Sequence, residues 1–180
     1  MAMNARLRRL YADFQSVRDE FSGHPYIDVT PVQGDPPELY VVEYRIRGLE
    51  LDPVSNRPKP RDYHKAQIYL SRDYPREKPK CVLETPIFHP NFGSYICIGD
   101  FWAAGETLVD IIIKIGQMIM YQDYNPKSPL NAVAARWAAE NERFLPVDHK
   151  DLYQPEIELD IELEPAAETA AEDDMDIELL

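Results

Sequence analysis

The apolar residues of this chain recur first at helical spacing, then at strand spacing, and finally at helical spacing again. Residues Ala5–Phe21 carry apolar side chains three and four positions apart, so we predict an amphipathic helix there. Short segments rich in β-branched and aromatic residues follow, and we predict a strand for each of them. These strand candidates are Tyr26–Val32, Leu39–Ile46, His64–Leu70 and Cys81–Glu84.

Two more helices are predicted after the strands. Thr107–Tyr121 is strongly apolar and has Thr107 as its N-cap, whereas Leu130–Phe144 is rich in alanine. Between the second and third strand candidates, several prolines predict that Leu51–Arg61 is a loop. A helix, an antiparallel meander of four strands and then further helices favour an α+β fold.

Residues 85–106 show no sustained periodicity, although they contain several aromatic side chains. An irregular stretch of this length inside a compact domain is uncommon and is often functional. One of the two cysteines, Cys97, lies within it, whereas Cys81 lies in an apolar run and is predicted to be a buried structural thiol. On its local sequence alone, between two isoleucines, Cys97 is also compatible with an inert buried thiol.

The two cysteines are too few for a disulfide framework and lack the spacing of a zinc site. We therefore expect a reduced, cytoplasmic protein with no metal and no cofactor. No apolar run approaches the roughly 20 residues of a membrane span, and the N-terminus lacks the apolar segment of a signal peptide. We expect no membrane partner.

The formal net charge of -13 is concentrated at one end of the chain. Residues 147–180 contain 13 of the 32 acidic residues and one lysine, so they carry -12 and the remainder carries -1. We therefore divide the chain into a core, residues 1–146, and an acidic tail, residues 147–180. The core has no excess of basic residues to neutralise phosphates, which argues against a nucleic-acid partner.

The tail alternates acidic and apolar residues over Glu156–Glu164 with a period of two. One interpretation is a solvated, largely disordered tail. The other is that this segment binds a partner protein as an added edge strand, with its acids selecting a basic surface. The apolar residues that would make this contact are Ile157, Leu159, Ile161 and Leu163.

Four motifs in the middle of the chain follow one another in an order typical of a known family. They are Asp73-Tyr74-Pro75, His89-Pro90-Asn91, Ile96-Cys97-Ile98 with Trp102, and Asp123-Tyr124-Asn125-Pro126-Lys127-Ser128-Pro129-Leu130. With these motifs on the predicted element order, roughly residues 5–145 resemble the ubiquitin-conjugating enzyme family. The resemblance implies the UBC-like fold: an N-terminal helix, a four-stranded antiparallel meander sheet, an active-site loop, a central helix and a C-terminal helix.

The resemblance implies that Cys97 accepts a ubiquitin-like protein from an activating enzyme as a thioester. The acyl group would then pass to a lysine amine of a target protein. A thiol suits this role because its thiolate is a good nucleophile and the thioester stays reactive toward amines. Asn91 would stabilise the tetrahedral oxyanion or hold the active-site loop, with an Asx-type turn as a further alternative. One well-placed donor can be worth on the order of 10²–10³ in rate.

The roles of the other site residues follow from the same resemblance. His89 would brace the active-site loop rather than act as a base, and Pro90 and Trp102 would pack. Ser128 stands where the family often has an acidic residue. It could position the incoming amine by a hydrogen bond but offers no charge, so Asp123 is the candidate for that help.

The family binds its activating enzyme with a basic first helix. The matching residues here are Arg6, Arg8 and Arg9. Arg76 stands where family members often have an apolar residue that docks ligases. Because apolar anchors dominate interface energy, this change argues against standard ligase recruitment, and the need for a ligase stays open.

The rim around the thiol is shorter than in many family members. Asn91 precedes Cys97 by six residues, and Trp102 follows Cys97 by five. These short spacings indicate a divergent branch of the family. It is more similar to the compact conjugating enzymes of bacterial operons, some of them antiviral, than to a typical eukaryotic member. We expect it to act as a monomer.

Two other functions compete with conjugation. A catalytically inactive adaptor on the same fold would bind a ubiquitin-like protein without a thioester, although inactive family variants usually lack the cysteine itself. An unrelated cysteine hydrolase would need a histidine and a carboxylate beside the thiol. Of the four histidines, His89 belongs to the family motif, and His24 and His149 match no motif.

Overall fold

The computed structural model of the chain describes residues 4–99, 102–103 and 105–153. Its elements are helix α1 (Ala5–Phe21), strands β1 (Ile27–Gly34), β2 (Pro37–Tyr44), β3 (Gly48–Leu51), β4 (Pro58–Arg61), β5 (His64–Tyr69) and β6 (Lys80–Leu83), and helices α2 (Leu108–Ile119) and α3 (Ala132–Glu140). Strands β1, β2, β5 and β6 form one antiparallel sheet in that order. The predicted α+β class and four-stranded antiparallel meander are confirmed.

The sheet turns one apolar face toward the helices. Alternate residues of its two central strands are fully buried, because side chains on a strand point to opposite faces in turn. These buried residues are Tyr40, Val42, Tyr44, Ala66 and Ile68. Helix α2 lies against this face, and the Tyr44 hydroxyl donates to the backbone oxygen of Ile112 (2.9 Å).

Helix α2 begins at a complete capping box. The Thr107 hydroxyl oxygen accepts from the backbone N–H of Asp110 (3.1 Å), and the Asp110 carboxylate accepts from the backbone N–H of Thr107 (2.9 Å). The predicted N-cap is therefore confirmed. Eight of the twelve residues of α2 are buried, so that the helix forms the centre of the core.

The prediction that residues 51–61 form a loop is partly wrong: residues 52–57 form a connecting turn, but Leu51 ends strand β3 and Pro58–Arg61 form strand β4. Strands β3 and β4 pair as a separate two-stranded ribbon, with Leu49 opposite Pro60. Proline is tolerated because an edge strand leaves one row of N–H groups unpaired. The Asp52 carboxylate closes the connecting turn by accepting from the backbone N–H groups of Val54 (3.0 Å) and Ser55 (2.8 Å).

The predicted last helix, Leu130–Phe144, is shorter than expected. Helix α3 begins after Asn131, whose side-chain oxygen accepts from the backbone N–H of Ala134 (3.0 Å). It ends at Glu140, and residues Glu142–Phe144 form a separate 3₁₀ turn. A side chain that accepts from the backbone N–H three residues ahead marks the start of a helix more sharply than alanine content can.

The predicted start of the tail at Val147 also differs from the structure. Residues 147–153 pack on the core: the Val147 N–H donates to the Met120 oxygen (3.0 Å), and Leu152 is 1% exposed. The Asp148 carboxylate accepts from the Arg47 N–H (2.8 Å). The core therefore reaches at least Leu152. The tail residues Ile157, Leu159, Ile161 and Leu163 lie outside the described residues.

None of the described helices combines the length and the apolar character needed to cross a lipid bilayer.

Candidate active site

The histidine of the His89-Pro90-Asn91 motif is enclosed by aromatic rings. It is fully buried, with the rings of Phe92 and Tyr121 centred 4.8 Å and 4.5 Å from its own. Its Nδ1 accepts from the backbone N–H of Asn91 (3.1 Å). Burial lowers the pKa of His89 to about 3, because the charged ring would lose its hydration. His89 is therefore neutral at pH 7 and fixes the turn at Asn91.

Asn91 joins two segments of the chain through its side chain and backbone. Its side-chain oxygen accepts from the Asn125 N–H (2.7 Å), and its amide nitrogen donates to the Asn125 oxygen (2.9 Å). Its backbone oxygen accepts from the Cys97 N–H (2.9 Å). Asn91 is 3% exposed, so these bonds hold the cysteine loop against the 123–128 loop out of contact with water.

Three further backbone hydrogen bonds fix the position of the motif. The backbone oxygen of Pro90 accepts from the N–H groups of Leu130 (2.8 Å) and Asn131 (2.9 Å), just before α3. The Phe88 N–H donates to the Leu49 oxygen on β3 (2.7 Å). The unpredicted ribbon thus supports the motif from one side and the start of α3 supports it from another.

The two cysteines occupy contrasting environments. Cys97 is a free, half-buried thiol between two buried isoleucines, whose backbones anchor the loop. The Ile96 N–H donates to the Cys81 oxygen (2.8 Å) on the neighbouring strand β6. The Cys81 thiol is 3% exposed, and burial raises its pKa to about 12. Because the thiolate is the reactive form, the buried Cys81 thiol is poorly reactive at neutral pH.

A cavity of about 100 Å³ opens beside Cys97. The residues lining it that carry functional groups are Asn91, Cys97, Lys114, Asp123, Tyr124, Asn125 and Ser128. The four residues that the sequence assigned to catalysis therefore lie together at this cavity. Asn91 and Cys97 come from the loop before α2, and Asp123 and Ser128 come from the loop after it. Ser128 is exposed at this rim, and the Asp123 carboxylate is about half-buried.

Lys114 is a residue of this cavity that the sequence reasoning missed. Its ammonium group lies 2.6 Å from the Asp123 carboxylate, so a cation and an anion sit together beside the thiol. The available signal was a single lysine inside the apolar run of α2. A lysine in a buried helix needs a partner or an exit to water, and the cavity provides both.

The arginines of α1 are placed unequally. Arg6 donates to the Glu38 carboxylate (2.8 Å) and to the Ser71 oxygen (2.9 Å), and Arg9 donates to the Asp13 carboxylate (2.8 Å). Arg8 is exposed. Two of the three arginines that the sequence assigned to an activating enzyme therefore also make contacts within the fold.

Trp102 lies against the Tyr74-Pro75 motif. Its indole N–H donates to the Pro75 oxygen (2.7 Å), and its ring is centred 6.1 Å from the Tyr74 ring. The Tyr74 hydroxyl donates to the buried Asp13 carboxylate (2.6 Å). These contacts connect α1, the Tyr-Pro turn and the segment after the cysteine.

The described residues contain no group of three or more histidine, cysteine or carboxylate side chains placed to hold a metal ion.

The model of the family described as "Ubiquitin-conjugating enzyme" matches residues 53–146, just over half of the chain. Human "Ubiquitin-conjugating enzyme E2 S" is 28% identical over 126 residues, which cover 64% of this chain and 56% of the relative. The Dictyostelium discoideum protein of the same description is 36% identical over 84 residues, covering 44% and 38%. The chain thus spans about half the length of the relatives it matches.

A solved structure described as "Novel Ubiquitin-Conjugating Enzyme" superposes with a TM-score of 0.53 at 21% identity, covering 76% of this chain and 87% of that one. At this identity the superposition shows the fold, and it agrees with the α+β architecture found here. Because the family model covers the cysteine loop, the His-Pro-Asn motif and α2 together, the chain belongs to the ubiquitin-conjugating enzyme family.

Proposed function

We propose that this chain accepts a ubiquitin-like protein from an activating enzyme as a thioester on Cys97 and transfers it to a lysine amine of a target protein. The observation that carries the proposal is the placement of Cys97. The free thiol sits on a loop held by Asn91, beside a cavity that contains a carboxylate, a hydroxyl and a side-chain amide.

The first step is a thiol exchange. The Cys97 thiolate attacks the carbonyl carbon of the activating enzyme's thioester, a new C–S bond forms, and the upstream thiolate leaves. In the second step the amine attacks the Cys97 thioester, the C–N bond forms, and the Cys97 thiolate leaves. The amine loses one proton overall, since only the neutral form carries the attacking lone pair.

Asn91 has a donor available for the tetrahedral intermediate. Its amide nitrogen carries two hydrogens, and the bond to the Asn125 oxygen uses one of them. A bond from the second hydrogen to the oxyanion would form on an amide that is already fixed in place. Prior placement of this kind makes a donor effective, because no reorganisation accompanies the reaction.

Asp123 and Ser128 line the cavity beside Cys97. Asp123 is paired with Lys114 at 2.6 Å. An incoming lysine would compete with Lys114 for the same carboxylate, and the Ser128 hydroxyl would accept a hydrogen bond from the amine. We assign Asp123 and Ser128 to orienting the acceptor.

The charging assay tests the thioester directly. The chain is incubated with ATP and two pairs of an activating enzyme and its modifier: the pair encoded nearest to its gene, and ubiquitin with a ubiquitin-activating enzyme. We expect an adduct that is cleaved by excess thiol and is absent in Cys97→Ala. Cys97→Ser should give a thiol-resistant ester, and Cys81→Ala, the matched control, should charge normally.

An absence of adduct with both pairs would contradict the proposal. Modifier binding of equal affinity in the parent and in Cys97→Ala, without an adduct, would instead identify a binding adaptor.

Asn91→Ala separates a role in the oxyanion from a role in the loop. We expect transfer from preformed thioester to free lysine to slow by about 10²–10³. The control is Asn141→Ala, which removes a similar side-chain bond, to the Trp137 oxygen (2.8 Å), far from the thiol in sequence and outside the cavity lining. A transfer rate in Asn91→Ala equal to that of the control would assign Asn91 to structure alone.

The partners and setting extend this proposal. We assign the contact with the activating enzyme to the α1 surface that carries Arg8, together with the outer parts of Arg6 and Arg9. Arg76 argues for transfer without a standard ligase. We place the reaction in the cytoplasm, in a bacterial conjugation pathway with a role in antiviral defence. An activating enzyme and a modifier encoded beside this gene would support that placement, and their absence would count against it.

A further inference from the structure

The cavity beside Cys97 already holds an amine that belongs to this chain. Lys114 is the one lysine among the described residues that line it. At about 100 Å³, the cavity is smaller than the roughly 300–1,000 Å³ typical of sites for a separate small ligand. The side chains around it therefore have little space between them, and Lys114 and Cys97 share that space.

Lys114 lies on the face of α2 that borders the cavity. Met118, one helical turn further along, lines the same cavity. Ile113 and Ile115, the neighbours of Lys114 in sequence, are instead fully buried in the core. The Lys114 side chain is 38% exposed. The amine of Lys114 thus leaves an otherwise apolar helix segment on the side where the thiol lies.

The carboxylate that we assign to the acceptor holds this amine. The Lys114 Nζ atom donates to the Asp123 carboxylate (2.6 Å). Asp123 is fixed in turn, because its backbone N–H donates to the Gln117 oxygen in the last turn of α2 (3.4 Å). A lysine arriving from a target protein would have to take the same place beside Asp123. Lys114 therefore occupies the position that the proposed function gives to the acceptor amine.

A continuous set of contacts connects the amine to the thiol. The Cys97 N–H donates to the Asn91 oxygen (2.9 Å), and the Asn91 side chain bonds both backbone groups of Asn125 (2.7 Å and 2.9 Å). Asn125 follows Asp123 by two residues, and Asp123 holds Lys114. Groups that are fixed relative to each other need little further ordering before they react. Intramolecular reactions of well-oriented groups reach effective molarities of about 10⁵–10⁸ M.

We propose that Lys114 is an internal acceptor, which takes the acyl group from a thioester on Cys97 and becomes modified itself. The amine passes a proton to the Asp123 carboxylate, to which it is already hydrogen-bonded. The neutral amine then attacks the carbonyl carbon of the thioester, the C–N bond forms, and the C–S bond breaks. The leaving Cys97 thiolate takes up the proton. The products are an amide on Lys114 and a free thiol, and the thioester is the only co-reactant.

A small thioester tests this transfer without an activating enzyme. The identity of the acyl group in the cell rests on the proposed function, whereas the transfer from sulfur to nitrogen rests on the geometry alone. The full chain is incubated with the N-acetylglycine thioester of 2-mercaptoethanesulfonate at millimolar concentration, so that the acyl group exchanges onto Cys97. Excess thiol then removes acyl groups that remain on sulfur, and acylated lysines are mapped by mass spectrometry.

We expect a stable acyl group on Lys114 that depends on the thiol. Its formation should be slower by about tenfold or more in Cys97→Ala, because only direct reaction with the dilute probe remains in that variant. In Lys114→Arg, which keeps the cation but removes the amine, the acyl group should stay on Cys97 as a thioester that excess thiol removes.

Two matched controls separate proximity from general reactivity. Lys59 is also ion-paired, with the Asp52 carboxylate at 3.1 Å, but it lies on strand β4 and outside the cavity lining. Acylation of Lys59 should be the same in the parent and in Cys97→Ala. The second control is Cys81→Ala, which removes the buried thiol and should leave acylation of Lys114 unchanged.

Two results would overturn the proposal. Equal acylation of Lys114 in the parent and in Cys97→Ala would show that the lysine reacts with the probe directly. A Cys97 thioester that is lost to hydrolysis, with no acyl group on Lys114, would show that the amine does not reach the carbonyl carbon. Because neither measurement needs an activating enzyme, failed charging together with transfer of the small acyl group to Lys114 would count against the proposed function alone.

Discussion

Gly116 and Leu152 form the contact that decides whether the segment after Val147 belongs to the core. A Cβ added at Gly116 would lie 2.4 Å from the Leu152 Cδ1 atom, well inside van der Waals contact, and Leu152 is 1% exposed. The glycine in α2 therefore leaves the space that the leucine fills. Substitutions at the two positions should depend on each other.

The expected free energies follow from this geometry. Leu152→Ala should lower the free energy of unfolding by about 2–5 kcal/mol. Gly116→Ala alone gains about 1 kcal/mol of helix propensity and loses about 1–3 kcal/mol to overpacking, so it should be neutral or destabilising. In the Leu152→Ala background the 2.4 Å contact is gone and the nearest remaining atom is the Tyr44 Cε1 atom, at 3.3 Å, so Gly116→Ala should stabilise by up to about 1 kcal/mol. The glycine substitution thus becomes more favourable when Leu152 is truncated.

Urea unfolding of the parent, both single variants and the double variant measures this coupling. We expect an interaction energy of about 1–3 kcal/mol, with similar m-values across the set. Val54→Ala is the surface control, since Val54 is 94% exposed and its truncation should stay within about 0.5 kcal/mol of the parent. Additive effects of the two substitutions, or a loss below about 0.5 kcal/mol in Leu152→Ala, would refute the packing of residues 147–153.

Three further predictions concern buried polar groups. Burial lowers the pKa of His64 to about 4 and that of His89 to about 3, below the usual value near 6.5. Between these pH values the unfolded chain therefore binds more protons than the folded protein. The free energy of unfolding should fall as pH drops from about 6.5 to 4, by up to about 2.7 kcal/mol per pH unit. A flat profile of this free energy against pH, measured by urea unfolding, would contradict the prediction. Iodoacetamide should modify Cys97 in the native protein and Cys81 only on unfolding, because burial raises the pKa of Cys81 to about 12. Equal alkylation rates of the two cysteines in the native protein, measured by peptide mapping, would contradict this prediction. Tyr74→Phe should cost about 1–3 kcal/mol in thermal or urea unfolding, since its hydroxyl bonds a buried carboxylate of α1; an unchanged stability would show that this bond contributes nothing.

The sequence predicted the elements whose signal is local. Helix α1 has the bounds that its apolar spacing indicates, and Thr107 caps α2 as its side chain suggests. The strands of the main sheet lie within a few residues of their predictions, because burial on one face leaves an alternating pattern. The β3–β4 ribbon was missed because its prolines indicate a loop unless the strand is known to lie at an edge.

The residues of the candidate site were likewise predicted only in part from the sequence. The order of the motifs was enough to select Cys97, Asn91 and Ser128 as members of one site. Lys114 was not found, because a lysine in a helix shows no partner until the loop carrying Asp123 is placed beside it. Lys114 and Asp123 are nine positions apart in sequence, whereas side chains that are neighbours on one helix face are three or four positions apart.

By itself, the sequence determined the order of the helices and of the main-sheet strands, the thiol proposed to carry the chemistry and the family to which the chain belongs. Each of these depends on residue types at short spacing, which local propensity and motif order make visible. The tertiary structure decided that the core extends past Val147, that Cys81 is buried, and that Lys114 pairs with Asp123 in the cavity beside Cys97. These features arise from contacts between residues distant in sequence, and only the fold shows which groups exclude water from one another.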